Sequence, residues 1–224
     1  MSELEQQEQK DSPVNHNDLF YTKRKEPDGM ADRLGMPIDE GINDTVAAFQ
    51  LLDFNTQASC EGHIERDLLT PWIDIGAPNQ PSIRYNGEEE IYKKIATTHN
   101  VTVEDMLHLN TDAATEAEHD AVMLASEHGE TPEYLEWRKQ SLRQANRMQD
   151  LINEFYGPHP DVRDDIRLSC TQTVYDGSWR VLTGNPPYDS EAAATRTPAE
   201  KDLLLRARQG EMNKLTEFLR TKIS

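Results

Sequence analysis

Cysteine is scarce: Cys60 and Cys170 are the two in 224 residues. They allow one disulfide at most, and reduced thiols are the expectation for a chain with no export signal. The opening residues, Met1-Ser2-Glu3-Leu4-Glu5, supply neither a basic segment nor an apolar one, so no secretory leader is expected and a cytoplasmic location is. Long hydrophobic runs are missing too. No apolar stretch approaches the roughly 20 residues that span a bilayer, so no membrane contact is expected. Aromatic residues make up 7% and apolar residues 36%, which predicts a core that is small for the length. Positive charge is short: 23 Lys and Arg stand against 41 Asp and Glu, a formal charge of -18. A chain this acidic repels phosphate backbones, so nucleic acid is an unlikely partner. There is no Cys-x-x-Cys pair, no phosphate-binding glycine loop, no Gly-x-Ser-x-Gly elbow and no fixed-period repeat.

What is present divides by composition. Residues 1–30 are polar, rich in Glu, Gln, Asn, Asp and Lys, and predict a disordered tail, with Leu19-Phe20-Tyr21 as a short patch able to dock. Residues 31–185 carry the patterns of an α/β domain, in the α+β sense of a small mixed or antiparallel sheet packed with several helices. Residues 186–197 read as a linker. Residues 198–224 read as a C-terminal amphipathic helix with a basic excess, able to fold back on the acidic body or to bind a protein partner.

Periodicity fills in the elements. Ile42, Val46, Phe49 and Leu52 recur at helical spacing behind Asp39, a good N-cap. Residues 54–59 and 71–76 read as short strands around Gly62, where a left-handed turn is expected. Helices are predicted over 87–99, 103–109, 115–128 and 132–156, the last with Leu135, Leu142, Met148, Leu151, Ile152 and Phe155 as its apolar face. Eight acids and no Lys or Arg lie between Asp112 and Glu136. Alternation through Ile166, Leu168, Cys170 and Val174, then Asp176-Gly177 and Trp179 to Leu182, predicts a hairpin. The final helix opens on Thr197-Pro198-Ala199-Glu200, a capping box, and turns Leu205, Met212, Leu215 and Leu219 to one face.

Chemistry concentrates between Asp39 and Asp74. Cys60 and His63 flank the Gly62 turn, with Glu61 between them as an acid or base, and a protonated His63 would lower the thiol pKa. We take Cys60, Glu61 and His63 as candidate catalytic residues, and Asp39, Ser59, Gly62 and Asp74 as candidate ligand contacts. Backbone N–H groups at such a turn suit an anion, so a small nucleotide-like ligand is expected. Each residue also has an ordinary reading. Asp39 serves as a cap, Cys60 as a buried packing residue, Asp74 as a solvated strand residue and His63 as a structural hydrogen-bond partner. Cys-x-x-His provides two donors where a structural zinc site takes four, so no metal site is assigned. Cys170 is the remaining thiol able to complete one.

Gly35-Met36-Pro37-Ile38-Asp39, Ile42, Val46 and the run Thr56 to His63 resemble bacterial and phage proteins of unassigned function. Those carry a Ser-Cys-Glu-Gly-His turn followed by a Pro-Trp-x-Asp strand, here Pro71-Trp72-Ile73-Asp74. The segment is also distantly similar to the wybutosine-synthesising tRNA methyltransferase family, which has a Gly-x-x-Asp helix start and a Thr-x-Ser-Cys-x-Gly turn followed by arginine. Here Ala58 precedes Ser59, and His63 stands in the arginine position. The resemblance spans Gly35 to Asp74 and implies an α/β domain with S-adenosylmethionine or nucleotide binding. Three functions follow: a small-ligand or enzymatic site at the Cys60–His63 turn, an acidic interaction protein with a basic partner, and S-adenosylmethionine-dependent tRNA modification.

Overall fold

A computed structural model describes residues 37–108, 111–173, 177–184 and 195–223. The polar head with its Leu19-Phe20-Tyr21 patch, Gly35 and Met36, Val174 and Asp176 of the hairpin, and residues 185–194 of the linker lie outside the described residues. In chain order the elements are α1 (Asn43–Leu51), β1 (Thr56–Cys60), β2 (Trp72–Ile75), α2 (Glu88–His99) and α3 (Val103–His108). Then follow α4 (Asp112–Ser126), α5 (Pro132–Tyr156), β3 (Leu168–Gln172), β4 (Trp179–Thr183) and α6 (Pro198–Arg220). The α+β expectation holds, with the sheet antiparallel throughout. Among the described residues no helix is long and apolar enough to cross a membrane.

The chain divides into two compact units, one made of Met1–Ile75 with Ala145–Ser224 and the other of Gly76–Gln144. The first unit holds the sheet, in the order β1-β2-β4-β3. Ile73 pairs with Val181, and these two and Ile75 point at a core containing Phe49, Phe54, Met148 and Ile152. Helix α1 buries Val46, Ala47, Ala48 and Phe49 together, as a helix set deep against a sheet must.

The C-terminal helix is part of this unit rather than an appendage to it. Met212, Leu215 and Leu219 sit in the same core cluster as Ile73 and Phe49. Its capping box is complete: Glu200 N–H donates to Thr197 Oγ1 at 3.4 Å, and Thr197 N–H donates to Glu200 Oε2 at 2.7 Å. The helix also buries polar groups with partners. The Thr45 and Thr216 hydroxyls lie 2.8 Å apart. Arg208 is fully buried and donates to Asp165 O at 2.8 Å, Leu69 O at 3.2 Å and Thr70 Oγ1 at 2.9 Å. Those bonds are what let a guanidinium sit away from water.

The second unit is helical. Ala114, Ala117, Ala121 and Ala125 form the buried stripe of α4, which lets neighbouring backbones approach closely. Ala117 and Ala121 pack with Ala96 and Met106, while Ala125 packs with Tyr85 and Ile91. Thr111 caps α4 by accepting from Ala114 N–H at 3.3 Å, so the helix begins three residues before the predicted start. In the first half of α5 the buried face is rotated from the predicted one, while Met148 and Ile152 are buried as expected. Leu135 and Leu142 are 39% and 42% exposed, whereas Tyr134, Trp137 and Ser141 are buried. Polar bonds decide this: Trp137 Nε1–H donates to Ala77 O at 2.8 Å, and Ser141 Oγ accepts from Ala77 N–H at 2.9 Å.

Candidate functional site

The site lies in the first unit, where the end of β1 meets the loop before α1. Gly62 adopts φ +86°, a left-handed turn that side chains resist. It is also pressed by α6, since a Cβ there would come within 2.6 Å of Leu205 Cδ1. Gln209 Nε2 donates to Glu61 O at 3.0 Å from the same helix. The next residues are held by a tight pair of bonds, His63 N–H to Leu68 O at 2.6 Å and Leu68 N–H to His63 O at 2.9 Å. The turn is thus fixed from both sides, and its side chains start from a rigid base.

Asp39 occupies the N-cap position of the short 3-10 turn before α1, yet its carboxylate makes no cap hydrogen bond. It faces the Gly62 turn instead. Asp39 Oδ2 accepts from Glu61 N–H at 3.1 Å and lies 3.1 Å from His63 Nε2. The Cys60 thiol lies beside the same carboxylate. The donor atoms of Asp39, Cys60 and His63 all lie within 4.8 Å of one another. His63 Nδ1, on the far side of the ring, is 3.4 Å from Glu65 Oε1. Glu61 turns away from the thiol, and its Oε2 accepts from Gly41 N–H at 2.7 Å. Beside it opens a cavity of about 670 Å³ lined by Glu40, Asp44, Glu61, Thr216 and Glu217.

Electrostatics set the chemistry of this corner. Burial pushes the Cys60 thiol above its usual pKa, and the Asp39 and Glu61 carboxylates push it the same way. The Gly62 N–H, donating to Cys60 Sγ at 3.3 Å, opposes them only in part. The thiol is therefore protonated near neutrality, and the expected lowering by His63 is not among the influences on it. The expected anion cradle is also closed. The N–H groups of Glu61, Gly62 and His63 go to Asp39, Cys60 and Leu68 respectively, leaving none to point at a ligand.

The remaining candidates fall elsewhere. Ser59 pairs with Ile73 and Cys60 with Trp72, so by strand alternation Ser59 points to the opposite face of the sheet. Asp74 is 6% exposed and faces Arg180 across β2 and β4. Its carboxylate takes two bonds of 2.7 Å from the guanidinium, which also stacks 3.8 Å over the Trp72 ring. Cys170 lies on β3, at the opposite edge of the sheet from β1, and cannot join Cys60. Sequence reasoning missed Glu65 and the bracing pair Leu205 and Gln209. Helical spacing places Leu205 on the core face of its helix, but nothing local indicates that α6 returns to this turn.

The chain matches no known protein family, no curated protein and no solved structure. Its functional reading therefore rests on this geometry.

Proposed function

We propose that the chain is a ligand-binding protein whose site is the Asp39–Cys60–His63 corner, and that this corner takes a cation or a cationic group. One observation carries the reading: a single carboxylate, Asp39, accepts a backbone N–H, stands 3.1 Å from the imidazole and has the thiol within 4.8 Å. Glu65 stands behind the ring, and Glu40, Asp44, Glu61 and Glu217 line or border the adjoining cavity. Negative charge of this density favours positive ligands and disfavours phosphates. The test is a thermal-shift panel on wild type, His63→Ala and Asp39→Asn, using divalent metals, spermidine, nucleotides and S-adenosylmethionine. Cations should raise the wild-type melting temperature and leave both variants unmoved. Stabilisation by nucleotides that survives both substitutions would reverse the reading.

A second reading, an acidic interaction protein with a basic protein partner, is favoured by the second unit. Glu116, Glu118, Asp120, Glu127 and Glu133 are exposed there within the stretch that holds no Lys or Arg. The apolar face of α6 is used inside the first unit, so that helix offers a partner little beyond Leu203, which is 69% exposed. A salt-sensitive pull-down unaffected by His63→Ala would support this reading over the first.

A further inference from the structure

We propose that Asp39, Cys60 and His63 are protein ligands of a zinc-type divalent cation, with one coordination position left open among the described residues. This rests on the cation-taking reading of the same site and names its occupant. The three side chains supply one carboxylate oxygen, one sulfur and one ring nitrogen, all within 4.8 Å of one another. In a tetrahedral zinc site the bonds are about 2.0 to 2.3 Å long, so neighbouring ligand atoms stand about 3.3 to 3.8 Å apart. The His63 Nε2 to Asp39 Oδ2 edge is already 3.1 Å. A small inward movement of the thiol completes the triangle.

The donor chemistry selects the metal. Calcium and magnesium take oxygen ligands almost throughout, whereas sulfur with imidazole suits zinc. Each ligand also has an outer partner of the kind that fixes metal ligands in place. Glu61 N–H holds Asp39 at 3.1 Å, Gly62 N–H donates to the Cys60 sulfur at 3.3 Å, and Glu65 faces His63 Nδ1 at 3.4 Å. On binding, the metal–sulfur bond replaces the S–H bond and the thiol proton leaves to solvent. His63 keeps its ring proton on Nδ1, shared with Glu65, and coordinates through Nε2. Structural zinc sites are closed by four protein ligands, whereas catalytic ones keep a place for water or substrate. Cys170, on the far edge strand, cannot supply a fourth here. The His63 and Asp39 side chains are 17% and 29% exposed, so water reaches two of the three ligands.

The test is titration of the chelator-treated full chain with Zn²⁺ and Co²⁺, for wild type, Cys60→Ala, His63→Ala, Glu65→Gln and Cys170→Ala. Wild type and Cys170→Ala should bind one cation per chain and show thiolate-to-cobalt charge-transfer absorption. Cys60→Ala should lose that absorption, and Glu65→Gln should keep it with affinity about 10 to 100 times weaker. Circular dichroism reports folding, and Cys60→Ser replaces the alanine variant if that one unfolds. Absence of the absorption in wild type, or equal zinc affinity in Cys60→Ala, overturns the proposal. Spermidine separates the two readings. If it stabilises wild type but not His63→Ala while zinc and cobalt bind nowhere, the metal assignment fails and the cationic reading stands. If neither spermidine nor the metals distinguish wild type from His63→Ala, both fail.

Discussion

Asp74 and Arg180 stand directly opposite each other on β2 and β4, joined by two parallel hydrogen bonds of 2.7 Å. The pair ties the two central strands together and takes Asp74 out of the candidate site. Asp74→Ala leaves the guanidinium without its carboxylate, and Arg180 is 36% exposed, so water recovers part of the loss. A destabilisation of about 1–3 kcal/mol is expected in urea unfolding. Zinc affinity should stay at its wild-type value.

Two glycines should respond to alanine in opposite directions. Gly62→Ala places a Cβ at φ +86° and 2.6 Å from Leu205 Cδ1. Strain of this kind costs about 1–3 kcal/mol and should also reduce metal affinity, because the Gly62 N–H to Cys60 Sγ bond shifts. Gly210, within α6, would meet nothing within 4 Å. Gly210→Ala should therefore stabilise the chain by about 0.5–1 kcal/mol. Thermal melts of the two variants check both signs.

Helix α6 is a core element, and its truncation should show it. Leu215 is fully buried among Phe49, Ile73 and Met212. Leu215→Ala should lower stability by about 2–5 kcal/mol in chemical denaturation. A helix that merely trailed from the domain would move it hardly at all.

Alkali should weaken the fold before it breaks the sheet chemically. Burial pushes the Cys170 thiol from 9.0 up to about 12, and Tyr92, on α2, is pushed from 10.0 up to about 12 by burial and then by Glu88. Both are raised in the folded state, so the folded chain holds these protons where the unfolded chain has lost them. Their stabilisation is full below the unfolded values and drains away as pH climbs towards 12. Urea midpoints measured above pH 9 should fall steadily, and Cys170→Ala should make that fall shallower. Since the Cys60 thiol is also raised, iodoacetamide at neutral pH should label both cysteines slowly until urea is added.

Local chemistry is what the sequence carried well. The Thr102, Thr131 and Thr197 starts, the Gly62 turn and the four strands follow from caps, glycine and alternation over a few residues. The first half of the α5 face did not, because leucine outweighs serine on any hydropathy scale while Ser141 is buried to hold Ala77. The site was legible in part. Cys60 and His63 announce themselves by spacing, but Asp39 looks like any N-cap, and only the 3.1 Å contact across 24 residues reveals that its carboxylate points the other way. Asp74 shared a strand signature with the site, yet its partner Arg180 lies 106 residues away, beyond the reach of pattern reading.

The Gly62 turn is braced by Leu205 and Gln209, from the last helix of the chain. During synthesis on the ribosome, Asp39, Cys60 and His63 emerge well before Leu205 and Gln209, so that support arrives late. The second unit, Gly76–Gln144, consists of neighbouring segments and has no such delay. A nascent chain stopped before α6 therefore holds all three donors and still lacks the brace that fixes the turn they stand on.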